Sequence, residues 1–303
     1  MKRGYVEVIL TKWRVEMIET LRGRFEVFTK GTGKPLCVTH LYSEFNESGD
    51  YFAEMFTDHY QVFLINLKDA GNSDKPKEAF ELSMIDAVLD LEAIRKAKNL
   101  SSWIFAGHST GGMLGLVYGI HFSSSLEAII TVGAAAREYS SSSERCIYNE
   151  KHPHYSRMQA LMDVLKDTTL SSEDRKAYTK ERTQLSLYHP AKYDDFFSKP
   201  ISKRIVASRL NFFSREVLIY DVTRQLPSIQ VKTYILCGRH DVQCPIEFSL
   251  ELKELIPKAT IFIFEESNHY PFLEEKQAFE KAIDYIFQGH SFPPPSLLMS
   301  AND

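Results

Sequence analysis

An α/β fold built on a mostly parallel central sheet, with helices on both faces, is what this sequence predicts, on three observations. Short apolar runs rich in Val, Ile and Phe alternate with stretches whose apolar residues recur at helical spacing. One run, Trp103-Ile104-Phe105-Ala106, breaks into Gly107-His108-Ser109-Thr110-Gly111 and then directly into a second apolar, helix-like run. Asp241 and His269 each stand just past the end of a later strand-like run. Sheets of this kind collect ligands at the carboxyl ends of their strands.

In chain order, residues 13–19 and 24–29 alternate polar with apolar around Gly23 and predict an antiparallel start. Residues 36–40 are more continuously apolar, and 60–67 supply a further strand followed by the turn-rich loop 68–74. Leu82, Ile85, Val88, Leu89 and Ala93 mark a helix over 82–97, which leads into the strand that ends at the serine turn. The helix beginning at Gly111 is followed by a sixth strand over 126–136.

At Arg137 the texture changes to charge, Ser and Tyr, with helical segments over 157–166 and 171–186 and no strand pattern. This predicts a helical insertion, 137–211, lying as a lid over the end of a core made of 1–136 and 212–303. Strands over 231–237 and 260–264 resume the sheet, each followed by a helix, 246–255 and 274–287. The last residues, 291–303 with Pro293-Pro294-Pro295, are expected to be a loose tail.

Composition narrows the function. A formal charge of −4 without a basic block argues against nucleic acid. The longest apolar runs are too short to span a membrane, and the first residues lack the pattern of a secretory signal. Cys37, Cys146, Cys237 and Cys244 form neither a C-x-x-C pair nor a metal spacing with histidine, so a reducing cytoplasm is expected, with neither metal nor cofactor. The expected partner is a small molecule or short peptide, and the oligomeric state is left open.

The serine turn carries the chemistry. Glycines on both sides remove the Cβ clashes of a tight strand-to-helix turn and leave Ser109 at its tip, beside the free N–H groups of a helix N-terminus. A serine hydroxyl needs a base to take its proton and an acid to hold that base's tautomer. Asp241 and His269 occupy strand ends on the same sheet edge; His108 and His240 are rival bases, and Asp221 and Glu265 rival acids.

With these residues in hand, the chain resembles the α/β-hydrolases, and within them the proline iminopeptidase group. The likeness lies in Gly107-His108-Ser109-Thr110-Gly111-Gly112, in Gly238-Arg239-His240-Asp241 with Pro245, in Ser267-Asn268-His269-Tyr270-Pro271-Phe272, and in the loop Asp69-Ala70-Gly71-Asn72-Ser73-Asp74. It covers residues 24–288, with the insertion where that family carries its cap. It implies Ser109 as nucleophile, His269 as base and Asp241 as orienting acid, acting through an acyl-enzyme. Thr110 N–H is the first implied oxyanion donor. The second falls on Leu41 or Tyr42, in a loop His40-Leu41-Tyr42-Ser43 that lacks the family's glycines.

The resemblance further implies an aminopeptidase that releases N-terminal residues from small peptides. Such an enzyme needs carboxylates for the substrate ammonium, and Glu144, Glu150 and Glu181 are the candidates; His40, Tyr148 and Tyr188 complete the expected substrate-facing set, with Tyr139 and Tyr155 as further aromatics. The alternatives are a carboxylesterase or lactonase with the same triad, and a ligand-binding protein of the same fold without catalysis.

Overall fold

The computed structural model describes residues 12–167 and 169–289, so the expectations for the first eleven residues and for the tail at 291–303 lie outside it. Ten strands are present among the described residues: β1 Arg14–Thr20, β2 Gly23–Lys30, β3 Lys34–Val38, β4 Ser43–Glu44, β5 Tyr60–Ile65, β6 Trp103–His108, β7 Leu126–Val132, β8 Arg204–Ile205, β9 Lys232–Gly238 and β10 Ala259–Phe264. The helices are α1 Tyr51–Glu54, α2 Met84–Ala97, α3 Thr110–Phe122, α4 Tyr155–Leu165, α5 Ser172–Gln184, α6 Tyr193–Phe196, α7 Ala207–Glu216, α8 Ile246–Leu255, α9 Pro271–Glu274 and α10 Lys276–Phe287.

Eight strands form one sheet in the order β1-β2-β5-β3-β6-β7-β9-β10. β1 and β2 pair antiparallel with each other, as does β2 with β5, and the remaining pairs are parallel. Alternation along the strands feeds two apolar layers: Trp103 and Phe105 of β6 enter the one covered by α2 and α3, and Ile104 and Ala106 enter the one covered by α1 and α10. A sheet buried on both faces needs such continuous apolar strands. All four cysteines are buried free thiols.

Local signals set the helix ends. Ser83 Oγ accepts from Asp86 N–H at 3.2 Å to open α2, which closes on Arg95 and Lys96, matching the helix dipole at both ends. In the insertion, Ser171 Oγ accepts from Asp174 N–H at 3.0 Å to open α5.

Three expectations are corrected. The strand placed over 126–136 stops at Val132, because Gly133 takes φ +55° and turns the chain out of the sheet. The helix placed over 274–287 begins two residues later, as α10 at Lys276, and Glu274 instead closes the short α9. A strand does interrupt the insertion: β8 pairs antiparallel with β4, Ser43 opposite Ile205 and Glu44 opposite Arg204, a pairing too short to leave an alternating pattern. It ties the insertion to the loop after β3.

Candidate active site

β6 runs out at His108, and Ser109 takes φ +56°, ψ −123°, a conformation that costs a non-glycine residue energy and is kept only where the surroundings enforce it. Here they do: Ser109 N–H donates to Val132 O at 2.8 Å, and its own carbonyl accepts from Gly112 and Met113 N–H. A side chain at Gly111 would meet the Thr39 carbonyl at 2.4 Å, so glycine is what lets α3 begin against the loop after β3. The Ser109 hydroxyl makes no capping bond to that helix.

Asp241 follows β9, and its carboxylate is fully used. Oδ1 accepts from the N–H groups of Gln243 and Cys244, each at 2.8 Å, and Oδ2 accepts from His269 Nδ1 at 2.8 Å. Both side chains are buried. With Nδ1–H donating to Asp241, Nε2 is the ring nitrogen of His269 left to act as an acceptor. Sequence reasoning missed what makes room for this pair: a Cβ at Gly133 would sit 2.8 Å from Asp241 Oδ2 and 3.1 Å from His269 Nδ1.

His269 is also held from behind. Its carbonyl accepts from His108 Nε2 at 2.8 Å, its N–H donates to the Ser186 carbonyl at 3.3 Å, and the His108 ring lies 4.6 Å from its own. Burial, with the nearby His269 and Lys203, holds the His108 pKa well below the usual histidine value, so it serves as a neutral N–H donor. The elbow and the base are thereby neighbours.

The loop His40–Ser43 lies across the start of α3. His40 Nε2 is 3.1 Å from Thr110 Oγ1 and its Nδ1 is 3.0 Å from Ser43 Oγ; burial, with Lys203, His269 and Arg209 adding to it, keeps this ring neutral. The Leu41 carbonyl accepts from the buried Arg209 guanidinium, and the Tyr42 carbonyl accepts from Val206 N–H at 2.9 Å. In a trans peptide C=O and N–H point to opposite sides, so the Arg209 anchor turns the Tyr42 N–H away from Arg209 and toward the His40 ring, 3.5 Å distant. Backbone anchoring from α7 stands in for the glycines this loop lacks.

The rest of the expected site divides. Tyr148 OH donates to Gln243 Oε1 at 2.8 Å on the acid's own loop, and the Tyr188 ring stacks 4.6 Å from that of His240. Tyr139 packs on Phe248. Glu181 instead grips Arg157 through two contacts of 2.6 Å, Glu144 pairs with Lys151, and Glu150 is exposed. The rival acids are occupied elsewhere: Asp221 accepts from Thr223, and Glu265 pairs with Arg239. The bracing by Arg209 left no trace in the sequence pattern. Among the described residues no group of three or more metal-ligating side chains occurs, and no helix is long and apolar enough to cross a membrane.

Comparisons with known proteins agree with this fold. A family model described as alpha/beta hydrolase fold matches residues 41–276. An alpha/beta fold family hydrolase from Bacillus anthracis superposes with a TM-score of 0.88 at 46% identity, covering 90% of this chain and 99% of that one. A pimeloyl-[acyl-carrier protein] methyl ester esterase from Vibrio cholerae is 25% identical over 82% of this chain and 92% of its own length. A proline iminopeptidase from Chitinophaga pinensis is 30% identical over 52% of this chain and 54% of its own.

Proposed function

The chain belongs to the alpha/beta hydrolase fold family, and from that premise we propose that it is a serine hydrolase of small esters that works through an acyl-enzyme. The observation that carries the reading is the buried 2.8 Å pair between His269 Nδ1 and Asp241 Oδ2, set beside an elbow serine held at φ +56°. In this reading Ser109 Oγ attacks the substrate carbonyl while His269 Nε2 takes its proton, and Asp241 stabilises the imidazolium that forms. The oxyanion takes the N–H of Thr110 and one N–H from the Leu41–Tyr42 loop. His269 returns the proton to the leaving alcohol, then draws one from water to release the acid. The insertion 137–211 acts as the cap, and its Ser186 carbonyl contact with His269 supports that role.

Esters are favoured over peptides by the fate of the carboxylates. An aminopeptidase needs a negative group for the substrate ammonium, and Glu144 and Glu181 already hold Lys151 and Arg157 while Glu150 is exposed to solvent. The likeness to a proline iminopeptidase supports the second reading, release of an N-terminal residue. A fluorophosphonate should label the wild type at Ser109 and leave Ser109→Ala untouched. Against a panel of proline anilides and short-chain nitrophenyl esters, ester turnover alone is expected. Anilide turnover would restore the aminopeptidase, and an unlabelled wild type would sink the serine hydrolase.

A further inference from the structure

We propose that Arg182 is a substrate-binding residue and that the pocket takes substrates carrying a free carboxylate besides the bond to be cleaved. The inference rests on the serine hydrolase reading and names its substrate class. Arg182 lies in the last turn of α5. One turn further on, the buried Ser186 gives its carbonyl to His269 N–H, so this end of the helix is tied to the base itself.

Four phenols feel the charge of the Arg182 guanidinium: Tyr193 of α6, and three that come from three walls of the site. Tyr42 belongs to the oxyanion loop, Tyr148 bonds Gln243 on the acid's loop, and Tyr270 follows the base with its ring 5.3 Å from that of His269. Burial raises the pKa of all three, and Arg182 opposes the rise in each.

Among the other cations of the insertion, Lys176, Lys192 and Lys199 are exposed to solvent, and several more are committed. Arg157 holds Glu181, Lys180 holds Asp194, Lys203 holds Asp50, and Arg175 donates to the carbonyls of Leu165 and Asp167. Arg182 has no hydrogen-bond or ion-pair partner among the described residues. Nearby carboxylates are taken as well: Asp241 by His269, and Glu274 by the N–H groups of Tyr188 and Asn268. A half-buried guanidinium near these phenols, with no ion-pair partner among the described residues, has the planar fork that suits a carboxylate of the substrate. A carboxylate there also removes the cost of leaving a half-buried cation unpaired.

Two pairs of esters test the assignment and locate the carboxylate. Mono-4-nitrophenyl glutarate against 4-nitrophenyl pentanoate places it on the acyl part, and 4-acetoxybenzoate against its methyl ester places it on the leaving group. The wild type should prefer the anionic member of at least one pair, and Arg182→Gln should lower kcat/KM for that member about tenfold or more beyond its effect on the neutral partner. Arg182→Lys, with the charge but not the fork, should fall between. No preference in either pair, or equal losses on anionic and neutral esters, would overturn it. Monomethyl glutarate binding to Ser109→Ala, with and without Arg182→Gln, reads the same site without turnover: weaker binding in the double variant supports the assignment even if the hydrolase reading fails, and equal binding counts against it.

Discussion

The Leu41 carbonyl is held by the guanidinium of Arg209, a side chain only 2% exposed and 168 positions away. The same guanidinium donates to the Lys68 carbonyl at 3.0 Å, so one residue of α7 joins the loop after β3 to the loop after β5. A loop without glycine, the one proposed to supply an oxyanion donor, keeps its shape here by tertiary anchoring.

Arg209→Met should therefore damage both stability and chemistry. The carbonyls of Leu41, Lys68 and Leu82 lose their donor, at a cost of about 2 to 4 kcal/mol in urea unfolding. The freed loop should lower kcat by roughly ten- to a hundredfold with little change in KM, since a displaced oxyanion donor is felt in the transition state. An unaltered kcat would show that the loop holds itself.

Asp241→Asn preserves shape while changing the proton. The amide oxygen can still accept from Gln243 and Cys244 N–H, which leaves the NH₂ facing His269 Nδ1. Two donors cannot share one bond, so the imidazole proton moves to Nε2 and the base is lost. A fall in kcat on the order of 10³ to 10⁴ is expected, with the thermal midpoint little moved. Steady-state kinetics beside a thermal melt check it.

A pH prediction follows from His108. Its folded pKa is held well below 6.5, chiefly by burial, so the unfolded chain binds a proton that the native one refuses. Stability from this group is present above the unfolded value and is lost as pH falls below it. Asp90, pushed up to about 6 by burial, titrates in the same window with the opposite sign, so the useful quantity is a difference between variants. His108→Gln, which keeps an N–H for the His269 carbonyl, should flatten the slope of unfolding free energy between pH 6 and 5 by about 1.4 kcal/mol per unit. Urea titrations at several pH values measure it, and parallel curves would mean that His108 is charged in the fold.

Much of the sheet was legible because its signals are local. The alternation of Trp103, Ile104, Phe105 and Ala106 assigns each residue to one apolar layer whatever it later touches. The end of β7 was not legible, since the apolar run continues through Ala134, Ala135 and Ala136 and hides the turn at Gly133. The carboxylates Glu144 and Glu181 were visible as residue types, but ion pairing with Lys151 and Arg157 depends on neighbours that helical spacing does not specify.

By itself, then, the amino-acid order determined the α/β alternation, the serine turn, and Asp241 and His269 at strand ends, because hydrophobic periodicity and turn chemistry act within a few residues. Only the tertiary structure decided which acid reaches the histidine, that Arg209 stands in for absent glycines, that the insertion is tied to the loop after β3 through β8, and that Arg182 has no ion-pair partner among the described residues. Those are contacts between residues far apart in the chain, made by packing whole elements together, and packing leaves no period in the sequence.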